Sequence, residues 1–388
     1  MNEQEGIANK KQNRLIIAGF FFLSGMLASS WSSRIPDIQD KLNLSNAELG
    51  RVLFVIPAGL VAGLNVGSWL VATFGTKKIM LVSCIISAVL LVLAAVAKTS
   101  LQLIVVLFFV GLARTIYNLS INTASIAVQQ YYDKPIVSSF HGTWSLAGFI
   151  AIGVGAVMIA NSIAPSYHFL LIGVLVSVAA LFFIGTTKMD KRATERRPFF
   201  VKPDKYLFLL GLMALCAMLC EGAVFDWSVN YFQKEVKADT SLVTTGYLCF
   251  ISAMTVGRLF GDRVIHLFGI YSMLVVCGIM LAVGFAVVAL FPYIFSASLG
   301  FLLIGFGDSI LIPVIYMLAS QTTKMPASYA LSSVILIGYT GFLIGPLFIG
   351  NISQSWGMPT AFLFLSVISL MIIALSLGVR LIKIENRY

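Results

Sequence analysis

The chain has 388 residues, of which 59% are apolar and only 11% charged. A soluble chain carries about 25% charged residues, and a mean hydropathy of +0.95 sets this one apart from that class. Apolar stretches of about 20 residues recur from end to end, each long enough to cross a roughly 30 Å hydrocarbon core, with none of the short alternating strands a β-barrel needs, so an all-α polytopic membrane protein is expected.

In chain order, the polar start MNEQEGIANKKQNR precedes a long apolar run without a small-residue cleavage site. That run reads as a first transmembrane helix and not as a signal peptide. Hydropathy gives twelve spans: 15–36, 47–71, 78–97, 101–129, 138–163, 167–187, 205–231, 241–262, 270–291, 295–319, 327–351 and 358–381. The polar stretch KMDKRATERRPFFVKPDK, Lys188 to Lys205, separates six spans from six. The expected domains are an N-terminal six-helix bundle over 1–187, a cytoplasmic linker over 188–204 and a C-terminal six-helix bundle over 205–388.

With the N-terminus inside, six of the 26 Lys and Arg fall outside: Arg34, Lys41, Arg51, Lys98, Lys234 and Lys237. Arg114 falls within the membrane, and the others fall on cytoplasmic ends or loops. This is the positive-inside bias, so the net charge of +10 reports topology and not nucleic-acid binding. Both termini are expected in the cytoplasm. The five cysteines (Cys84, Cys216, Cys220, Cys249, Cys277) all sit in apolar runs and read as packing residues. No Cys/His cluster has metal-ligand spacing, and no metal or cofactor is expected. The three histidines, with no HExxH and no GxSxG, offer no catalytic constellation, and no P-loop is present to bind ATP.

Several polar residues fall inside the spans, where an ionisable group is a functional candidate by default. The fourth span carries Arg114, Asn118, Asn122, Ser125 and Gln129, a spacing that puts them on one helical face. His141 opens the fifth span, with Trp144 close by, and can switch protonation near neutral pH or serve as a hydrogen-bonded structural group. Glu221 lies past the midplane of the seventh span, where a desolvated carboxyl suits proton coupling. Asp226 follows beside Trp227, about 140° further round the helix. Arg34, at the outer end of the first span, is the expected partner of one of these two acids. Asp308 stands in the tenth span, with Tyr316 two turns on along its face.

The halves repeat. Gly63, Gly67 and Gly75 recur as Gly257, Gly261 and Gly269, an offset of 194 residues, and the same offset carries Ser138-Ser139 to Ser332-Ser333. It also carries Gly111 to Gly305 and Arg114 to Asp308, so opposite charges stand at equivalent depth in equivalent helices. Agreement of several short matches on one offset indicates an internal repeat of six plus six helices.

Two like halves joined by a basic loop resemble the plan of a major facilitator superfamily (MFS) transporter. The Gly-x3-Gly-x7-Gly pattern resembles a variant of the superfamily's loop motif between the second and third helices of each half. In the first half Ser68 and Trp69 stand where the second has Asp262 and Arg263. The stretches PIVSSFHG (Pro135 to Gly142), EGAVFDWS (Glu221 to Ser228) and GRLFGDR (Gly257 to Arg263) together resemble a bacterial inner-membrane branch neighbouring the fucose permeases. In that pattern an acid is common where Asn118 stands, and Glu where Gln129 stands.

The resemblance implies an MFS fold of twelve helices in two pseudo-symmetric bundles, a location in the bacterial inner membrane, and helices one, four, seven and ten around a central cavity. Arg114 and Asp308 would then face each other across it, either as a solute site or as a structural charge pair. The implied solute contacts are Arg114, Tyr117, Asn118, Asn122, Trp144, Asp308 and Tyr316. Proton coupling would fall to Glu221, Asp226, Asp308 or His141. Gly257, Gly261, Asp262, Arg263 and Arg34 would form a conformational gate, with Asp262 and Arg263 alternatively marking only a helix end. The function so implied is secondary transport of a small polar, sugar-like solute by proton symport, with drug/proton antiport as the alternative. The partners are the solute, protons and membrane lipid, with no nucleic acid, and the chain is expected to be a monomer.

Overall fold

Helices alone build the protein among the residues that the structure, a computed structural model, describes: 3–132, 136–185, 203–322, 325 and 327–385. They run α1 (Glu3–Ser33), α2 (Ile35–Lys41), α3 (Asn46–Phe74), α4 (Thr76–Val96), α5 (Ser100–Gln129), α6 (Val137–Ala160) and α7 (Pro165–Gly185). After the basic stretch come α8 (Lys205–Lys234), α9 (Thr245–Phe268), α10 (Ile270–Leu290), α11 (Ile294–Asp308), α12 (Leu311–Ser320), α13 (Ala327–Trp356) and α14 (Met358–Glu385). Among the described residues, twelve segments are long and apolar enough to cross a membrane, and each overlaps one of the twelve expected spans, with ends that differ by up to seven residues. Most of the expected linker, 188–202, lies outside the described residues. At its end Asp204 caps α8, its Oδ1 accepting from the Leu207 N–H at 2.8 Å.

Two expected spans are interrupted. The first stops at Ser33, and the short α2 follows with a proline in its opening turn, Pro36. The tenth is two helices, α11 and α12, separated at Ser309 and Ile310. Pro313 accounts for that break. It has no N–H for the carbonyl four residues back, Ser309 O, and its ring would strike that carbonyl in a continuous helix.

The chain divides into two compact units, one formed by 1–42 with 55–196 and the other by 43–54 with 197–388. In the first, α1 packs on α6, and α4 packs on α5 and α7. In the second, α8 packs on α13, and α10 packs on α11 and α14. These pairs are repeats of one another.

The repeat extends to single contacts. Gly75 and Gly269 both cap the next helix with positive φ (84° and 80°), a conformation that costs glycine nothing. A Cβ on Gly111 would collide with the Ile56 carbonyl oxygen, and one on Gly305 with that of Phe250, the residues 194 further on. Gly63 packs against Thr115, and Gly257 against Ser309, by the same relation. Small residues let paired helices approach to backbone contact where lipid supplies no hydrophobic drive.

Candidate functional site

The first unit places the polar face of the fourth span on α5. Arg114, Asn118 and Asn122 are half-buried there. Asn118 Oδ1 accepts from Ser24 Oγ of α1 at 3.4 Å, and Asn122 Nδ2 donates to the Asn118 carbonyl at 2.8 Å. The lower end of the stripe has a different task. Ser125 is fully buried and donates back to the Asn122 carbonyl at 2.8 Å. Gln129 Oε1 accepts from the Ile136 N–H at 2.6 Å, and its Nε2 donates to the Tyr132 carbonyl at 3.1 Å, which ties the α5–α6 connection together.

Beside this face lies a cavity of about 50 Å³ walled by α1, α3, α4 and α5. Arg114, Tyr117, Trp31, Ser24 and Ser87 line it, with the remaining wall apolar. Among the described residues no hydrogen bond or ion pair engages the Arg114 guanidinium. The Trp31 indole N–H, on a residue only 8% exposed, likewise has no partner. Tyr117 offers a ring and no hydroxyl, because its O–H donates to the Phe20 carbonyl at 2.7 Å. On α6, Trp144 is half-buried, while His141 is exposed and packs edge-on against Phe21, ring centroids 5.2 Å apart.

In the second unit, the site forms where the tenth span breaks. Asp308 ends α11 and is 2% exposed, and neither carboxylate oxygen has a hydrogen-bond partner among the described residues. The Ser309 carbonyl freed by Pro313 accepts from Arg258 Nε of α9 at 3.4 Å. Arg258 Nη2 also faces Glu221 Oε1 of α8 at 3.8 Å. Asp308 lies within electrostatic reach of both Glu221 and Arg258. Tyr316, half-buried on α12, is within reach of Glu221 and Tyr339. Asp226 is half-buried further along α8, next to Trp227, which is fully buried.

The structure thus gathers Glu221 and Asp308 around Arg258, a residue that sequence reasoning passed over, with Tyr316 within reach of Glu221. The reading that left Arg114 as the cation within the membrane is corrected: Arg258 lies inside the eighth span, Thr240–Gly261. The signal was present, since an arginine inside a span is itself a functional candidate. Arg114 belongs to the first unit and Asp308 to the second, each with the surroundings given above.

The expected gate residues separate. Gly257 and Gly261 are packing positions against Ser309 and Ile310. Arg263 is exposed, and the Asp262 side chain lies outside the described residues. Arg34 does not turn to Glu221 or Asp226, as expected from sequence; it is 1% exposed inside the first unit. Its Nη1 meets Asp37 Oδ2 at 3.3 Å, Nε donates to His168 Nδ1 at 3.2 Å, and Nη2 donates to the Ile163 carbonyl at 2.7 Å. The turn at Arg34 delivers its side chain inward, a turn the hydropathy pattern did not disclose.

Twelve membrane-length helical spans among the described residues, repeated six on six with charges held inside them, fit the plan of a membrane transporter built from two repeats. The family model for the Major Facilitator Superfamily matches residues 16–333, and the chain belongs to that superfamily. It is 27% identical over 340 residues to an uncharacterized MFS-type transporter of Yersinia pestis, covering 88% of each chain. It is 26% identical to the membrane protein MosC of Rhizobium meliloti, covering 86% of this chain and 82% of that one. Its fold is similar to a point mutant of the nucleoside transporter NupG, with a TM-score of 0.78 at 15% identity, covering 95% of this chain and 99% of the other. It is also similar to a bacterial homolog of the human lysosomal transporter Spinster, with a TM-score of 0.77 at 13% identity, covering 96% and 97%.

Proposed function

We propose that the protein is a proton-coupled symporter that moves a small polar solute, sugar-like in size, across the bacterial inner membrane by alternating access. Both termini lie in the cytoplasm in this reading, and the protein works as a monomer. The positive-inside bias of the loops supports that orientation. The solute is read by the half-buried face of α5, Arg114, Asn118 and Asn122, with Tyr117 and Trp144 supplying rings. The nucleoside transporter NupG is similar in fold, which fits a polar ring as cargo.

One observation carries the coupling: the buried carboxyl of Asp308, without a hydrogen-bond partner among the described residues, within electrostatic reach of the Arg258–Glu221 pair. A bare carboxylate in such surroundings costs several kcal/mol, and holding a proton removes that cost. Loss of the proton leaves an anion that competes with Glu221 for Arg258. The guanidinium already bridges Glu221 and the carbonyl of Ser309, the residue next to Asp308, which puts a change of partner within the same cluster. Arg258 therefore reports the protonation of one helix to another, and solute binding in the cavity favours one of the two pairings.

The test is proton movement in proteoliposomes bearing a pH dye. Solute-induced external alkalinisation supports symport. External acidification assigns antiport, the drug-efflux alternative, and no pH change with any transported solute overturns the coupling. Asp308→Asn is expected to keep solute binding within about threefold and to abolish solute-driven proton movement. A variant that still moves protons would remove Asp308 from the coupling step.

A further inference from the structure

We infer that the solute carries a single negative charge, a carboxylate, and that the Arg114 cavity is the subsite that takes it. This rests on the transporter reading above and narrows its cargo from a small polar solute to a polar monocarboxylate such as a sugar acid. The cavity offers donors with nothing to receive them. Arg114 presents a guanidinium that no group among the described residues engages. Trp31, more than nine-tenths buried and on the wall, has an indole N–H with no acceptor among the described residues.

The other polar groups on the wall add no acid to answer that charge. Ser87 Oγ donates to the Ser83 carbonyl at 2.8 Å, Ser24 Oγ turns to Asn118, and the Tyr117 hydroxyl is spent on Phe20. The rest of the wall is aliphatic, including Leu27, Ile56 and Leu91. An unanswered guanidinium beside an unanswered N–H in low-dielectric surroundings attracts an anion and repels a cation.

Size and charge select among anions. At about 15 Å³ per water, roughly the lower bound for a hydrated void, the 50 Å³ space holds about three waters or one carboxylate group. A phosphate ester brings two negative charges near neutral pH, and this wall carries one cation. A carboxylate uses the planar fork of Arg114 in a bidentate fashion, which a spherical ion cannot do. The hydroxyls of the same solute then fall to Asn118 and Asn122, one and two turns along α5, where Asn122 Oδ1 remains an acceptor.

The experiment uses the full-length protein in detergent and five monocarboxylates: acetate, lactate, gluconate, glucuronate and benzoate. Each is paired with its neutral amide or alcohol. Sodium chloride and glucose 6-phosphate serve as further probes, and binding is read by thermal protection and titration calorimetry. At least one acid is expected to bind at least tenfold more tightly than its neutral counterpart. Arg114→Gln should remove that preference, and Trp31→Phe, which keeps the ring and deletes the N–H, should weaken the acid about fivefold and leave its neutral partner unaffected.

Neutral counterparts binding as well as the acids, an unaffected Arg114→Gln, chloride protecting as strongly as any acid, or no acid binding at all would each overturn the inference. Should Arg114→Gln fail to fold, the Trp31→Phe preference still decides the question. The outcome separates from the coupling test. A neutral solute that drives proton movement leaves the transporter reading standing and ends this one; an acid that binds through Arg114 without proton movement keeps this inference and ends only the proton coupling.

Discussion

Arg34 spends one guanidinium on three acceptors from three segments: Asp37 on α2, His168 on α7 and the Ile163 carbonyl in the α6–α7 turn. Its ion-pair partner is nonetheless held at a cost. Burial raises the Asp37 carboxyl above its ordinary value of 3.8, and the charge of Arg34 only partly offsets this. A group raised in the folded state contributes stability below its unfolded value and loses it as pH rises through the folded one. The ionised Asp37 is therefore a net burden near pH 7.5. Asp37→Asn, whose Oδ1 still accepts from Arg34, is expected to keep or slightly raise the thermal midpoint at pH 7.5. The gap from the natural protein should close as pH falls through the raised value, and a lower midpoint for the variant at pH 7.5 would contradict the assignment. At this scale the sequence was partly legible. Arg114, Glu221 and Asp308 declare themselves as charges in apolar runs. Arg258 was hidden because Gly257–Arg263 reads as a loop motif at a helix end, whereas α9 continues to Phe268 and holds Arg258 within the span.

Helices as elements followed from hydropathy alone, because a lipid-facing segment must satisfy its backbone internally and only a long apolar helix does so. Their interruptions did not follow. The stretch GFGDSILIP contains the cause of the α11–α12 break, but prolines are common in transmembrane helices and often only bend them. Here the regular ladder is interrupted at Ser309 and Ile310, which both keep right-handed helical dihedrals, and Pro313 comes to stand in the first turn of α12, where its missing N–H costs nothing. In an unbroken helix it would cost about 3 kcal/mol. Pro313→Ala removes the reason for the break. Its new N–H competes with Arg258 for the Ser309 carbonyl, and the tenth span closes into one helix. The thermal midpoint should rise, by at most the equivalent of about 3 kcal/mol, while the initial rate of solute uptake falls because Arg258 loses its place beside Asp308. A faster transporter, or a less stable one, would show that the break is not what positions Arg258.

Across the whole molecule the internal repeat is the feature most legible from sequence, since a fixed offset needs no knowledge of side-chain geometry. Its physical content lies in the contacts. Gly111 lies against the Ile56 carbonyl and Gly305 against that of Phe250, so one backbone-to-backbone packing motif has been used twice. A Cβ at either glycine meets a carbonyl oxygen of the neighbouring helix, and a backbone atom cannot swing aside as a flexible side chain does. Gly111→Ala and Gly305→Ala are each expected to cost about 1–3 kcal/mol, the usual range for overpacking. Gly142 supplies the control, because a Cβ there meets nothing within 4 Å. Gly142→Ala should leave the midpoint unchanged or raise it slightly, as replacing a helical glycine with alanine does. The three midpoints, measured in one detergent, separate two accounts of the repeat. Equal losses at 111 and 305 mean that both units depend on the same close approach. A loss at one position alone would mean that the matching sequences have come to pack their helices differently, and that the charges carried at Arg114 and Asp308 occupy equivalent places in the sequence without equivalent places in the fold.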